Sequence, residues 1–119
     1  MTPIRPFKRE IMRGNSVVGY IHGWPNMKAG DVGEWVEAFG SQRSVQVIRA
    51  DQSSQGECVI EGCHDPAEGV AADLHSPFGA ELSFRSGAIE TINDIVRWAR
   101  PRIVDGDDKP FTAIITVLL

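Results

Sequence analysis

The sequence is poor in residues that carry chemistry and lacks the segments that direct a protein to a membrane. It has three histidines and two cysteines in 119 residues. Two cysteines are too few for a disulfide scaffold. No apolar run approaches the roughly 20 residues that span a bilayer. The first residues lack the charged-then-apolar pattern of a secretory signal. These absences predict a soluble protein that is made in the cytosol and has no membrane partner.

Motifs for catalysis and cofactor binding are also missing. There is no GxSxG elbow for a serine nucleophile, no glycine loop followed by Lys-Ser/Thr, and no EF-hand spacing in the acidic turns. His22, His64 and His75 stand apart in the sequence, and a hydrolase would need one of them near a carboxylate and a serine. We therefore predict no enzyme and no cofactor, and keep a small hydrolase only as a third alternative.

Both cysteines lie in one stretch, ECVIEGCHDP, residues 57–66. Zinc sites usually take closely spaced ligands from two separated clusters, and only one such cluster exists. If the stretch begins as a strand, its side chains alternate between faces. Cys58 and Cys63 then point to opposite sides unless Gly62 turns the chain. We predict no metal site, a buried and unreactive Cys58, and a turn over 62–69 that could expose Cys63 as a free thiol.

The charge of the chain is unevenly distributed. Residues 1–15 carry four basic residues against one acidic residue, a charge of +3, whereas the remainder carries eight basic and fifteen acidic residues, a charge of −7. An acidic body argues against a nucleic-acid partner. Residues 1–15 are predicted to form an extended or mobile basic arm, and residues 16–119 the folded domain. The basic residues of the arm are candidates for binding a partner: Arg5, Lys8, Arg9 and Arg13.

Short β-rich runs alternate with turn signals along the domain. In RSVQVIRA, Val45 and Val47 face one way while Ser44 and Gln46 face the other. Six to eight strands with turn signals every 8 to 15 residues predict an all-β antiparallel sandwich or barrel. The runs are at 16–24, 43–50, 57–62, 71–77, 80–85, 95–104 and 111–119.

Two stretches have helical spacing instead. In 31–39, apolar residues fall at i, i+3, i+4 and i+7, with Asp31 as a cap and Glu34 in the capping-box position. In 87–99 a similar stripe is formed by Ile89, Ile92, Val96 and Ala99. One or two short helices inside the β fold are therefore expected.

Two further features indicate contact surfaces. The stretch RWARPR combines Trp98 with three arginines, a composition typical of interface hot spots. Its arginines are candidates for partner binding: Arg97, Arg100 and Arg102. In the last strand both faces are apolar, although a small sandwich normally leaves one face of each sheet wet. We expect Ile114 and Leu118, on the second face, to take part in self-association.

Several short motifs follow one another along residues 20–119: a tryptophan, a Gly-Asp turn, an SVQV strand, an IEG strand with a following aspartate, a bend, an RP strand and a second Gly-Asp turn. Their residues are Trp24, Gly30-Asp31, Ser44 to Val47, Ile60 to Gly62, Asp65, Pro77-Gly79, Trp98, Arg100-Pro101 and Gly106-Asp107. In this order the motifs resemble the pattern of the small cement, or decoration, proteins of tailed-bacteriophage capsids.

This resemblance implies a jelly-roll β-sandwich that binds the outer surface of a phage capsid. It also implies self-association, as a dimer or trimer, with the copies clamping neighbouring major capsid subunits. It implies no catalysis and no cofactor, and a location in the virion after synthesis in the host cytoplasm.

The main alternative is a carbohydrate- or receptor-binding β-sandwich, since jelly rolls host many lectin-like sites. In that interpretation Tyr20, Trp24 and Trp35 form a platform on which sugar rings stack.

Overall fold

The computed structural model describes residues 2–49, 56–67, 70–79, 81–84, 87–106 and 110–119. The loop expected at 51–56 and the turn at 105–110 lie largely outside these residues. Among the described residues no helix is long and apolar enough to cross a membrane. The strands are β1 Phe7–Arg13, β2 Ser16–Met27, β3 Val36–Glu37, β4 Gln42–Arg49, β5 Gly56–Cys63, β6 Ala72–Asp73, β7 Ser83–Phe84, β8 Ile89–Thr91, β9 Trp98–Gly106 and β10 Phe111–Leu118.

The strands form two five-stranded sheets. The first has the order β1-β2-β10-β4-β8, and the second has the order β3-β9-β5-β6, with β7 also pairing with β5. Every pair of these strands is antiparallel. The predicted all-β antiparallel sandwich is confirmed. The described residues hold ten strand segments where six to eight were expected, because β1 and several two-residue strands add to the count.

The core lies between the sheets and follows the alternation of the sequence. In β10, Phe111, Ala113, Ile115 and Val117 are buried, while the residues between them are half-buried. Leu119, the residue after β10, is exposed. The other buried apolar residues include Val45 and Val47 from the first sheet and Cys58, Ile60, Ala99 and Ile103 from the second.

Trp24 is the largest side chain of the core and is fully buried. Its indole lies so close to Gly33 that a Cβ added to Gly33 would come within 2.6 Å of the indole nitrogen. The N–H of Gly33 also donates to the carbonyl oxygen of Pro101 in β9, at 2.9 Å. A second backbone hydrogen bond runs from the Ile103 N–H to the carbonyl oxygen of Asp31, at 2.9 Å. Tryptophan packing and these two hydrogen bonds fix the 31–36 segment against the second sheet.

The two expected helices are wrong for the described residues. Asp31 does not cap a helix: its carboxylate accepts the Lys28 N–H at 2.8 Å and closes a turn. Val36 pairs with Ala99 as part of β3. In the second stretch, Ile89 belongs to β8 and is exposed. Both segments find backbone partners on neighbouring strands, and this tertiary pairing overrides their local helical spacing.

The segment predicted as a basic arm contains β1, the edge strand of the first sheet. It forms a hairpin with β2 in which Phe7 lies opposite Gly23 and Ile11 opposite Gly19. A Cβ added to Gly23 would meet the Phe7 ring at 2.2 Å. The Phe7 ring of β1 therefore fills the space that a side chain at Gly23 of β2 would occupy, and this packing holds β1 against the sheet.

The two faces of β10 should differ in their contribution to stability. Replacing the fully buried Ile115 with alanine should lower the free energy of unfolding by about 2–5 kcal/mol, since it leaves a cavity between the sheets. The matched change Ile114→Ala, on the half-buried outer face, should cost roughly 1 kcal/mol. Urea unfolding followed by circular dichroism measures both. Equal losses would show that the sandwich interior is not where the structure places it.

Candidate functional site

An aromatic cleft of about 560 Å³ opens at one side of the sandwich. One wall comes from β1 and β2, and the other from residues 34–39 and the start of β9. We call it the aromatic cleft. Its principal lining residues are Lys8, Tyr20 and His22 on the first wall and Trp35, Phe39 and Trp98 on the second.

The rim of the aromatic cleft carries several exposed apolar side chains. Phe39 is 65% exposed and also lines a neighbouring hollow of about 310 Å³ together with Ile95, which is 76% exposed. Leu119, which lines the cleft, is exposed as well. Contiguous exposed apolar residues with a polar border typically mark an interaction surface.

Cations lie over the rings of the cleft. The Lys8 ammonium is 4.2 Å from the centre of the Tyr20 ring, and the Arg100 guanidinium is 4.1 Å from the centre of the Trp35 ring. The Arg97 guanidinium is 5.9 Å from the Trp98 ring. Such contacts hold the rings in place by cation–π attraction.

Two ion pairs border the cleft. Arg5 Nε lies 3.6 Å from Glu34 Oε1, and Arg97 Nε lies 3.9 Å from Glu37 Oε1. All four side chains are largely exposed, so each pair contributes little to stability and both arginines are accessible. The structure thus brings together candidates from the two ends of the sequence.

The remaining basic candidates lie elsewhere. Arg9 faces away from Lys8 on β1, and its guanidinium is 5.1 Å from the Phe7 ring. Arg13 ends β1 beside the hairpin turn. Arg102 faces the outer side of the second sheet, where it pairs with Glu61. A partner-binding role for these residues, as for the four at the cleft, stays a prediction.

A buried carboxylate holds two of the candidate arginines. Arg100 Nε donates to Glu61 Oε1 at 2.6 Å, and Arg102 Nε donates to Glu61 Oε2 at 3.0 Å. Arg102 Nη2 also lies 3.7 Å from Asp73 Oδ1. The two guanidinium groups supply the hydrogen bonds and the opposite charge that a buried carboxylate needs. We call these four residues the Glu61 cluster.

The histidines do not share a site among the described residues. Burial lowers the pKa of His22, and the nearby Lys8 ammonium lowers it further, so the imidazole in the cleft is neutral at pH 7. His64 lies in the smaller hollow beside Phe39. Neither of them accompanies His75, which contacts a different part of the chain.

His75 is paired with Asp94: Nδ1 of the imidazole lies 3.1 Å from Oδ2 of the carboxylate. The backbone N–H of His75 donates to the other carboxylate oxygen of Asp94, at 2.7 Å. Burial acts to raise the pKa of Asp94, but the hydrogen bonds from His75 outweigh it and the pKa lies below its ordinary value. Ser76 accepts the Phe78 N–H instead of contacting the imidazole. The pair ties two loops together, and among the described residues the imidazole has no hydrogen bond to a serine.

The cysteines are both buried and unpaired. β5 continues through Gly62 and Cys63, so the turn predicted from Gly62 begins later than expected, at the Asx-type turn in which the Ala67 N–H donates to Asp65. In the regular part of β5 the two cysteines lie on opposite faces, as predicted. Among the described residues no group of three or more His, Cys, Asp or Glu is placed to hold a metal ion.

Three residues of this region were missed in the sequence. Phe39 was assigned to a helical stripe, Ile95 to the start of a strand, and Glu61 to a motif without a role. Glu61 carried a usable signal: an acidic residue between apolar neighbours in one strand, with arginines two apart in RPR of another. Phe39 and Ile95 carried no signal, because an apolar residue does not reveal whether it is covered.

No protein-family model matches the chain, and no curated protein matches it in sequence.

The Glu61 cluster should stabilise the fold far more than the ion pairs of the cleft. The side chain of Glu61 is 7% exposed and that of Glu37 is 61% exposed. Glu61→Gln should lower the free energy of unfolding by about 1–3 kcal/mol, since charged hydrogen bonds to both arginines are lost. Glu37→Gln, the matched control, should change it by about 0.5 kcal/mol or less. Urea titration at pH 7 compares the two variants. An unchanged free energy of unfolding for Glu61→Gln would contradict the stabilising role of the Glu61 cluster.

The thiols should be protected in the folded protein. Burial raises the pKa of Cys58 to about 12, and burial also raises the pKa of Cys63, although Arg100 opposes that shift. Since the thiolate is the reactive form, a thiol reagent at pH 8 should modify neither cysteine rapidly before the protein is unfolded in urea. Cys63→Ser identifies which thiol reacts first. One rapid equivalent in the folded protein, absent from that variant, would show that Cys63 is accessible.

Proposed function

We infer that this chain is a non-enzymatic structural protein of a phage particle. It binds the outer surface of the capsid, where it clamps neighbouring major capsid subunits, and it reaches the virion after synthesis in the host cytoplasm. The observation that carries this proposal is the apolar rim of the aromatic cleft with arginines beside it. This composition of aromatic, aliphatic and arginine side chains is typical of protein–protein hot spots.

The fold supports the same proposal. With β1 and β7 set aside, the sheets have the orders β2-β10-β4-β8 and β3-β9-β5-β6. Eight strands in two sheets are what a jelly roll has, so the order supports the topology that the resemblance implies. Trp24 fills the core, Gly30 has φ of +86° in the Gly-Asp turn, and Ile60 is buried. Three residues of the resemblance thus lie at positions that the fold needs, two in the core and one in a turn.

The surface suits a clamp better than a catalyst. A lasting contact needs roughly 800 Å² from each partner, which the cleft and its rim can share with surrounding surface. The acidic body and the basic residues at the cleft give one molecule two kinds of charge to present to two neighbours. We expect the capsid protein to be the partner, with copies of this chain associated as a dimer or trimer.

The carbohydrate-binding alternative receives less support. Its platform cannot include Trp24, which is fully buried. A cation lies over one face of the Tyr20 ring and over one face of the Trp35 ring, which leaves each ring at most one face for a sugar. The cleft is therefore better suited to apolar and acidic groups of a protein.

Attachment to the shell should depend on Phe39. Phe39→Ala should weaken co-sedimentation with capsid shells that lack this protein by about tenfold or more, since a truncated hot-spot residue typically costs over 1 kcal/mol. The matched control is Phe78→Ala, because Phe78 is 97% exposed but lies outside the cleft. It should bind like the unmodified chain.

Two outcomes would contradict the proposal. If the unmodified chain does not bind shells, and imaged particles show no density for it bridging capsid subunits, the function is wrong. If it binds but Phe39→Ala and Phe78→Ala behave alike, the cleft is not the contact. Glycan-array binding without shell binding would favour the carbohydrate alternative.

A further inference from the structure

The edges of the two sheets are unequal. At the edges, β8 has three residues and β3, β6 and β7 have two each, whereas β1 has seven. Very short edge strands are a common protection against pairing with another chain. β1 lacks this protection, and no described strand pairs with its outer side. Its unpaired N–H and C=O groups form a template for a further strand.

We propose that β1 pairs antiparallel with β1 of a second copy of this chain, joining the first sheets of the two molecules across a two-fold axis. The proposal goes beyond shell binding and does not depend on it. A two-fold, isologous contact is the commonest way for identical chains to associate. What selects this occupant is the complementarity of β1 with itself in one register.

Side-chain parity limits the possible registers. Phe7, Arg9 and Ile11 lie on the outer face of the sheet, while Lys8 and Glu10 lie on the inner face opposite His22 and Tyr20. Residues directly opposite in an antiparallel pair share a face. A two-fold axis through the joined sheet therefore places an outer residue against an outer residue and an inner residue against an inner one.

One allowed register matches the side chains. With Arg9 opposite Arg9, each Lys8 faces Glu10 of the second copy, and each Phe7 faces Ile11 of the second copy. This gives two opposite-charge pairs and two apolar pairs. It uses the segment 7–11, which is the regular part of β1, since the register with β2 shifts between Ile11 and Met12. Such cross-strand pairs are the main stabilising contacts of a sheet.

The neighbouring registers are poorer. A shift in one direction puts Glu10 opposite Glu10 and Arg9 opposite Ile11. A shift in the other puts Lys8 opposite Lys8 and Phe7 opposite Arg9. Both lose the Lys–Glu and Phe–Ile pairs. The single like-charge contact of the preferred register, between the two Arg9 side chains, lies on the exposed outer face, where water and salt screen it.

The same register joins the apolar rows of the outer face. Phe7 covers Gly23, which pairs with Ile114, and Ile11 lies beside Gly19, which pairs with Leu118. The contact between Phe7 and Ile11 of the second copy therefore links the Ile114 row of one molecule to the Leu118 row of the other. Ile114 and Leu118, the two residues that the sequence predicts for self-association, therefore lie at the two ends of one continuous apolar row.

Charge reversal tests the pairing. Sedimentation equilibrium should show a dimer for the unmodified chain. Lys8→Glu and Glu10→Lys should each raise the dimer dissociation constant about tenfold or more, since each turns two attractive pairs repulsive. The double variant should restore it to within about threefold of the original. Urea midpoints of all three confirm folding. A monomer at every concentration, or single variants that dimerise normally, would overturn the proposal.

Cysteine cross-linking tests the register. Opposite residues in an antiparallel pair are about 4.5–5.5 Å apart at Cα, within the range of a disulfide. Under mild oxidation, Arg9→Cys should form a disulfide-linked dimer on a non-reducing gel. Glu10→Cys, the matched control, should not, and the native cysteines are buried. Cross-linking through position 10 would overturn the register, and cross-linking through neither would overturn the pairing.

Discussion

The buried carboxylate of Glu61 is the interaction on which the outer face of the second sheet depends. It lies on β5 and binds Arg100 and Arg102 of β9 through their Nε atoms, so it reinforces the longest strand pairing of that sheet with charged hydrogen bonds. Arg100, once held, lies over Trp35, which forms part of the wall of the aromatic cleft. A charge that is expensive to bury therefore positions the guanidinium that lies over the Trp35 ring in the wall of the cleft.

The fold could be predicted from the sequence wherever one face of a strand is buried and the other is wet. In β4 the alternation of Val45 and Val47 with Ser44 and Gln46 specifies the buried face, because a slip of one residue would turn both valines to solvent. The prediction failed where long-range pairing decides the structure. The 31–39 segment has helical spacing, but Gly33 must contact the Trp24 indole, and no pattern within nine residues contains that contact. Likewise the sequence of β1 has no sustained hydrophobic period. Its place in the sheet depends on packing against the glycines of β2, which its own sequence does not contain.

The residue types of the candidate site could be predicted from the sequence, but their positions in the fold could not. The arginines of residues 1–15 and of RWARPR were each identified from local composition, and the structure places some of both at one cleft. Their convergence depends on the β1–β2 hairpin and on the position of β9, neither of which local composition contains. Arg100 and Arg102 also showed a limit of that reasoning. An arginine next to a tryptophan suggests a partner, yet the internal carboxylate already binds both guanidinium groups. Exposed Phe39 and Ile95 now define the rim better than the arginines do.

Lys8 belongs to both candidate contact surfaces, the aromatic cleft and the outer edge of β1. Its ammonium lies over Tyr20 inside the aromatic cleft, while its backbone belongs to the unpaired edge of β1. If two copies join along that edge, the axis is perpendicular to the sheet, so both clefts open on the same side of the joined sheet. A dimer of this kind presents two identical contacts at a fixed spacing. If the cleft binds a subunit of a regular shell, as we propose, binding through the first cleft holds the second at high effective concentration near the next subunit, and two weak contacts give a lasting attachment. Edge pairing would thus supply, through geometry alone, the clamping that a single small cleft cannot.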